Sequence, residues 1–213
     1  MNWLAAAIGS SVGKKLMMAL TGLAFIGFLA AHLAGNLTIY GGKAAFNGYA
    51  EKLQSLGALL HVFRAGLITF ALVHVLTGLY LFWLNRRARP VSYGTYASAG
   101  GRTLSSRTMP YTGIAILAFV VYHLFHFTFV DKSATTVFDM VTAAFNRPLI
   151  MLLYAALMIV VAFHVRHGFW SAFQTLGINH PKWMPAVSAA SIAAGVLVAL
   201  GFGMLPLLVA LRY

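Results

Sequence analysis

The stretch VFRAGLITFALVHVLTGLYLFWL, residues 62–84, decides how this chain must be read. After Arg64 no residue carries a formal charge until Arg86. A helix rises about 1.5 Å per residue, so roughly 20 apolar residues cross the hydrocarbon core of a bilayer. The run meets that length, and at its middle stands His74. An ionisable side chain inside a membrane span is costly, and by default it is there for a function.

Four more runs of the same kind lie on either side: 16–36, 110–130, 149–173 and 186–211. The first could pass for a signal peptide. It lacks a clean small-residue cleavage site at a sensible distance and carries His32, so it reads as a span. The expected fold is an all-α integral membrane protein with five transmembrane helices. The first four are expected to form a bundle, and residues 1–213 a single membrane-embedded domain.

Composition agrees. Hydrophobic residues make up 61% of the 213 residues and charged residues 8%, with a mean hydropathy of +0.83. A water-soluble chain of this size needs far more charge to cover its surface. There is no cysteine, which excludes disulfides, thiolate zinc sites and iron–sulfur clusters held by four thiolates of this chain. The net charge of +12 comes from 15 Lys+Arg against three acids, Glu51, Asp131 and Asp139. The basic residues gather at the ends of apolar runs, a pattern of membrane topology and lipid headgroups rather than of nucleic-acid binding.

The same residues set an orientation. Lys14 and Lys15 precede the first span, and 85–109 carries Arg86, Arg87, Arg89, Arg102 and Arg107 with no acid. The opposite connections hold all three acids. The positive-inside rule then places the N-terminus in the cytoplasm and the C-terminus outside. In the connection 37–61, Phe46, Tyr49, Leu53 and Leu56 recur at helical spacing, which predicts a short amphipathic helix at the outer interface.

His32, His74, His123 and His164 fall one on each of the first four spans. Counted from the cytoplasmic end, His32 and His123 lie at roughly 24 and 20 Å, His74 and His164 at roughly 16 and 12 Å. They sort into an outer and an inner pair. One membrane histidine is as readily a helix–helix hydrogen-bond partner. Four on consecutive helices, paired by depth, suit two porphyrins, each iron held from both sides by imidazole. Gly78, Gly168 and Gly35 lie about one turn from His74, His164 and His32, where a missing side chain leaves room for a flat ring system. A copper or zinc site is a weaker reading, because the pairs differ in depth and no carboxylate shares the interior. Proton relay normally recruits an embedded Asp or Glu. His126 and His167, each three residues after a candidate ligand, could bond a haem propionate or a quinone, or simply cap the interface. His61 and Arg64 stand at the outer mouth of helix two.

These residues resemble a known family. Ala31-His32-Leu33 with Asn36, Ala45-Phe46-Asn47 with Ser55-Leu56, His74 with Gly78-Leu79-Tyr80, His164 with Gly168-Phe169-Trp170-Ser171, and Gly177-Ile178 are similar to the cytochrome b membrane anchor of succinate:quinone oxidoreductase (complex II) and fumarate reductase. The likeness is to its single-subunit, five-helix, dihaem class, found in bacteria that use menaquinone, and it covers essentially the whole chain. It implies two haem b groups, the inner held by His74 and His164 and the outer by His32 and His123. It implies a flavoprotein and an iron–sulfur partner on the cytoplasmic face, carrying FAD and the clusters, with menaquinone as the electron acceptor in a bacterial plasma membrane. The basic connection 85–109 would dock the partners. Some fumarate-reducing relatives carry a glutamate two residues before the fourth ligand; here that position is Ala162, which favours succinate oxidation.

For protonation of the quinone, Glu51 beside His61 and Arg64 is the candidate at the outer mouth, with a plain solvated glutamate the competing reading; Arg166 and His167 mark an inner alternative. Another dihaem module, of formate dehydrogenase or hydrogenase type, is the neighbouring possibility, and a haem-free anchor or transporter the distant one.

Overall fold

The structure is a computed structural model that describes residues 2–88 and 103–213. Its described residues form eight α-helices: α1 Trp3–Gly9, α2 Ser11–Leu37, α3 Lys43–Gln54, α4 Ala58–Arg87, α5 Leu104–Phe127, α6 Val137–Phe145, α7 Pro148–Thr175 and α8 Met184–Arg212. A 3-10 turn, Thr38–Gly41, follows α2. Five helices, α2, α4, α5, α7 and α8, are long and apolar enough to cross a membrane. The chain is a multi-pass helical membrane protein. Residues 89–102 of the expected docking connection, with Arg89 and Arg102, lie outside the described residues.

Local chemistry sets the helix ends. Ser10 caps α2 by accepting the Gly13 N–H at 3.0 Å. Thr103 caps α5 through Ser106 N–H, and α7 begins on Pro148, whose missing N–H costs nothing in the first turn. At the end of α7 the Ile178 N–H reaches Phe173 O at 2.9 Å and the Gly177 N–H reaches Gln174 O at 3.0 Å. This double closure needs a left-handed residue, and Gly177 supplies it at φ 87°. The third span therefore starts before residue 110, with Pro110 inside α5, and ends at Phe127. A polar first turn capped by threonine is invisible to hydropathy.

Buried residues concentrate on α7 and α8, among them Tyr154, Met158, Val161, Val198, Leu205 and Val209. The two helices pack through small residues. A Cβ on Gly195 would stand 3.1 Å from Ala162 O, and one on Gly203 3.6 Å from Met158 Cβ. In lipid, where apolar burial drives little, such close backbone approach is the main source of association. By contrast α4 has no buried residue. Its large apolar side chains, Leu72 and Leu76 among them, face outward, as a lipid-facing helix requires.

Two short helices close the end of the bundle opposite the N-terminus. The expected interfacial helix is α3, which ends at Gln54, short of Leu56; of the four recurrent apolar residues only Phe46 is buried. Phe46 packs edge-on to Phe138 of α6, which meets Tyr213 at 4.9 Å. Asn47 Oδ1 accepts the Phe138 N–H at 3.0 Å, and Tyr213 donates its hydroxyl to Ile39 O. Lys43 and Asp139 form the one ion pair among the described residues. The helix α6, which the sequence reading had left unassigned, is half of this cap.

Candidate functional site: two histidine pairs in the bundle

The four span histidines meet in two pairs. His32 on α2 and His123 on α5 have ring centres 6.1 Å apart at an interplanar angle of 88°. His74 on α4 and His164 on α7 are 6.5 Å apart at 66°. All four are half-buried, as expected of side chains that line a space rather than fill a core. An imidazole nitrogen sits about 2 Å from a bound metal, so two rings ligating one ion from opposite sides have centres roughly 6.2 Å apart. Ring–ring contact without a metal covers the same range, so the separation permits shared ligation. Among the described residues no three His, Asp or Glu side chains converge.

The pairs have different surroundings. In the His74/His164 pair each Nδ1 faces a threonine hydroxyl, Thr21 Oγ1 at 3.0 Å and Thr112 Oγ1 at 3.0 Å. Gly22 and Gly113, next to those threonines, face the rings at a distance where a Cβ would make ordinary van der Waals contact. A Cβ at either would lie 3.4 Å from the Cε1 of His74 or His164. In the other pair His123 Nδ1 is buried with no partner. His32 stacks on Phe28 at 5.3 Å, and its Nε2 meets Asn36 Nδ2 at a long 3.4 Å.

A repeat that the sequence reading missed underlies this arrangement. MALTGLAFIGFLAAHL, residues 18–33, and MPYTGIAILAFVVYHL, residues 109–124, share Met, Thr, Gly, Ala, Phe, His and Leu at matching places. VHVLTG at 73–78 and FHVRHG at 163–168 share His, Val and Gly. Helices α4 and α7 thus follow α2 and α5 as second members of two similar units, and each histidine pair takes one ring from each unit. Thr21 precedes His32, and Thr112 precedes His123, by the same eleven residues. At 1.5 Å per residue the two pairs are therefore about 16 Å apart along the bundle. Comparing the chain with itself would have found the signal.

The glycines divide differently from expectation. Gly35 does not flank an open slot, because a Cβ there would overlap the Tyr49 ring, so its role is to seat α3. Nothing stands within 4 Å of a Cβ at Gly168, and one at Gly78 would meet only Met18, at 3.6 Å.

Of the remaining candidates, His126 bonds the Tyr154 hydroxyl through Nδ1 at 3.0 Å within an aromatic cluster including Phe127. His167 stands 6.0 Å from Trp170. Arg166 is two residues past His164, about 200° further round the helix. It lines a cleft of about 330 Å³ between α7 and α8 with Ala162, Phe163 and Gly195, away from the histidine pair. Glu51, His61 and Arg64 are exposed, and among the described residues no ion pair joins them. Arg64 lies near Lys132, whose pKa is lowered by partial burial and then by that like charge. Comparison of the chain with protein-family models, with characterised proteins and with solved structures returns no match.

Proposed function

We propose that this chain is a dihaem cytochrome b, the membrane anchor of a succinate:menaquinone oxidoreductase, which passes electrons from an iron–sulfur partner through two haems b to a quinone. The observation that carries the haem reading is the pairing itself. Two histidines from equivalent helices stand 6.1 Å apart and two others 6.5 Å apart, and both separations fit an iron held on two sides. The resemblance in residues 31–36, 45–47, 74–80 and 164–171 supports the choice of complex II. Haem supplies the one-electron chemistry when bound. His32, His74, His123 and His164 would hold the two groups, and the chain would orient them and exclude water. Two imidazoles for each iron would suit electron transfer rather than oxygen activation.

By the positive-inside rule the N-terminal end faces the cytoplasm of a bacterial cell, and the flavoprotein and iron–sulfur subunits dock there. Residues near the α3 end, Glu51 with His61 and Arg64, are the proposed place of quinone protonation. A reduced-minus-oxidised absorption spectrum of the purified protein tests the haem reading; a spectrum without haem bands refutes it. Co-purification of a succinate-oxidising flavoprotein tests the choice of complex, and a formate dehydrogenase or hydrogenase in its place would redirect it.

A further inference from the structure

Thr21 and Thr112 occupy equivalent places in the two similar units, and each presents its hydroxyl to a histidine of a neighbouring helix. The direction of those hydrogen bonds follows from the hydroxyl's single proton. Thr21 Oγ1 lies 2.7 Å from Met17 O, and two oxygens at that distance need a proton between them. Thr112 Oγ1 has two backbone acceptors of its own helix within reach, Met109 O at 3.0 Å and Thr108 O at 3.1 Å. Each hydroxyl is spent on the backbone of its own helix. The oxygen can then only accept from the facing ring, so Nδ1 of His74 and of His164 carries the proton and Nε2 is bare. A bare Nε2 is the form of imidazole that ligates a metal.

We infer that Thr21 and Thr112 are positioning residues that set the tautomer of His74 and His164 and tune the haem these rings hold independently of the other haem. The inference rests on the dihaem reading above. An acceptor on Nδ1–H draws the proton outward and makes Nε2 a stronger electron donor, which favours the more positive, oxidised iron and lowers the reduction potential. The outer pair has no hydroxyl facing Nδ1; the ring-nitrogen contact there is the long one of 3.4 Å between His32 Nε2 and Asn36 Nδ2. Among the described residues neither His32 Nδ1 nor His123 Nδ1 makes a hydrogen bond, and that of His123 is buried. Two sites of the same ligand type, built from similar units, thus differ in a hydrogen bond of the kind that shifts iron potentials.

The test is a spectroscopic redox titration of the intact complex carrying Thr21→Val, Thr112→Val or the corresponding serine substitutions, with His32→Ala identifying which wave belongs to the outer haem. Both valine variants are expected to raise the midpoint of the His74/His164 haem, with an altered low-spin electron paramagnetic resonance signal, and to leave the outer haem unmoved. Serine, which keeps the hydroxyl, is expected to restore the native value. Loss of the inner haem from the valine variants with retention in the serine variants carries the same meaning. Inner-haem midpoints unchanged by valine, or both haems shifted equally, overturn the inference while leaving the dihaem reading intact. A native protein without haem absorption removes that reading, and this inference with it.

Discussion

The imidazoles of His32 and His123 stand 6.1 Å apart and almost perpendicular, at 88°, although ninety-one residues separate them in the chain. They are brought together because α2 and α5 both pack on α7 and present matching faces of a repeated segment.

Replacing either histidine with alanine is expected to remove one haem and keep the other. Haem per chain should fall from two to one in His32→Ala and in His123→Ala, with the second pair's bands preserved, as measured by pyridine haemochrome assay and protein quantitation. Loss of both groups from a well-inserted variant would show that the pairs are not separate sites.

Gly168 offers a sharper check on the space between the helices. A side chain there meets no protein atom within 4 Å of its Cβ. Gly168→Leu is therefore expected to insert in the membrane with undiminished thermal stability in the haem-free state, yet to lose haem from the His74/His164 site. Full haem loading in that variant would place the macrocycle elsewhere.

At Gly195 the reverse holds. A Cβ would lie 3.1 Å from Ala162 O and 3.2 Å from Arg166 Cβ. Overpacking of this kind costs about 1–3 kcal/mol. Gly195→Val should lower the unfolding temperature in detergent by separating α7 from α8, while Gly168→Ala should not.

Asp139 makes the cap of α3 and α6 sensitive to acid. The Lys43 ammonium, then the Thr136 hydroxyl, donate to its carboxylate and hold its pKa below the ordinary carboxylate value. A depressed folded pKa means the stabilisation is complete above the unfolded pKa and is lost as pH falls through the folded one. The local opening of α3 and α6, read from hydrogen exchange corrected for its intrinsic pH dependence, should be flat from neutral pH down to about 5 and rise below about 4. Asp139→Asn should remove that rise, and added salt should weaken the effect because the pair is exposed.

For quinone chemistry, Glu51→Gln should slow quinone reduction by on the order of 10²-fold if Glu51 delivers the proton, leaving both haem spectra unchanged. Native turnover in that variant would move the site elsewhere, with the Arg166 cleft between α7 and α8 the next place to probe.

Much of the architecture was readable because lipid imposes a blunt constraint. Every spanning helix must present some twenty apolar residues, so the five spans emerge from hydropathy alone, and His32, His74, His123 and His164 stand out against them. Pairing by depth was also legible, since rise per residue converts position into height. The parts that escaped depend on lateral approach. Gly35 looked like room for a ring system until Tyr49 was found against it. Arg166 marks an inner alternative in the sequence, but that it lines a cleft between α7 and α8 is visible only in three dimensions. The helix α6 is too short for a hydropathy window to resolve, and it is held by Asn47 and Phe46 from ninety residues away.

By itself, then, the sequence determined the number of spans, the histidine on each of the first four and their sorting into two depths, because these follow from one-dimensional spacing along helices. Only the tertiary structure decided which side chains flank each ring. Thr21 faces His74 and Thr112 faces His164 because neighbouring helices settle into one rotation about their axes. That rotation comes from the lateral packing of α2 against α4 and α7 and of α5 against α7, which no periodicity within a single helix encodes.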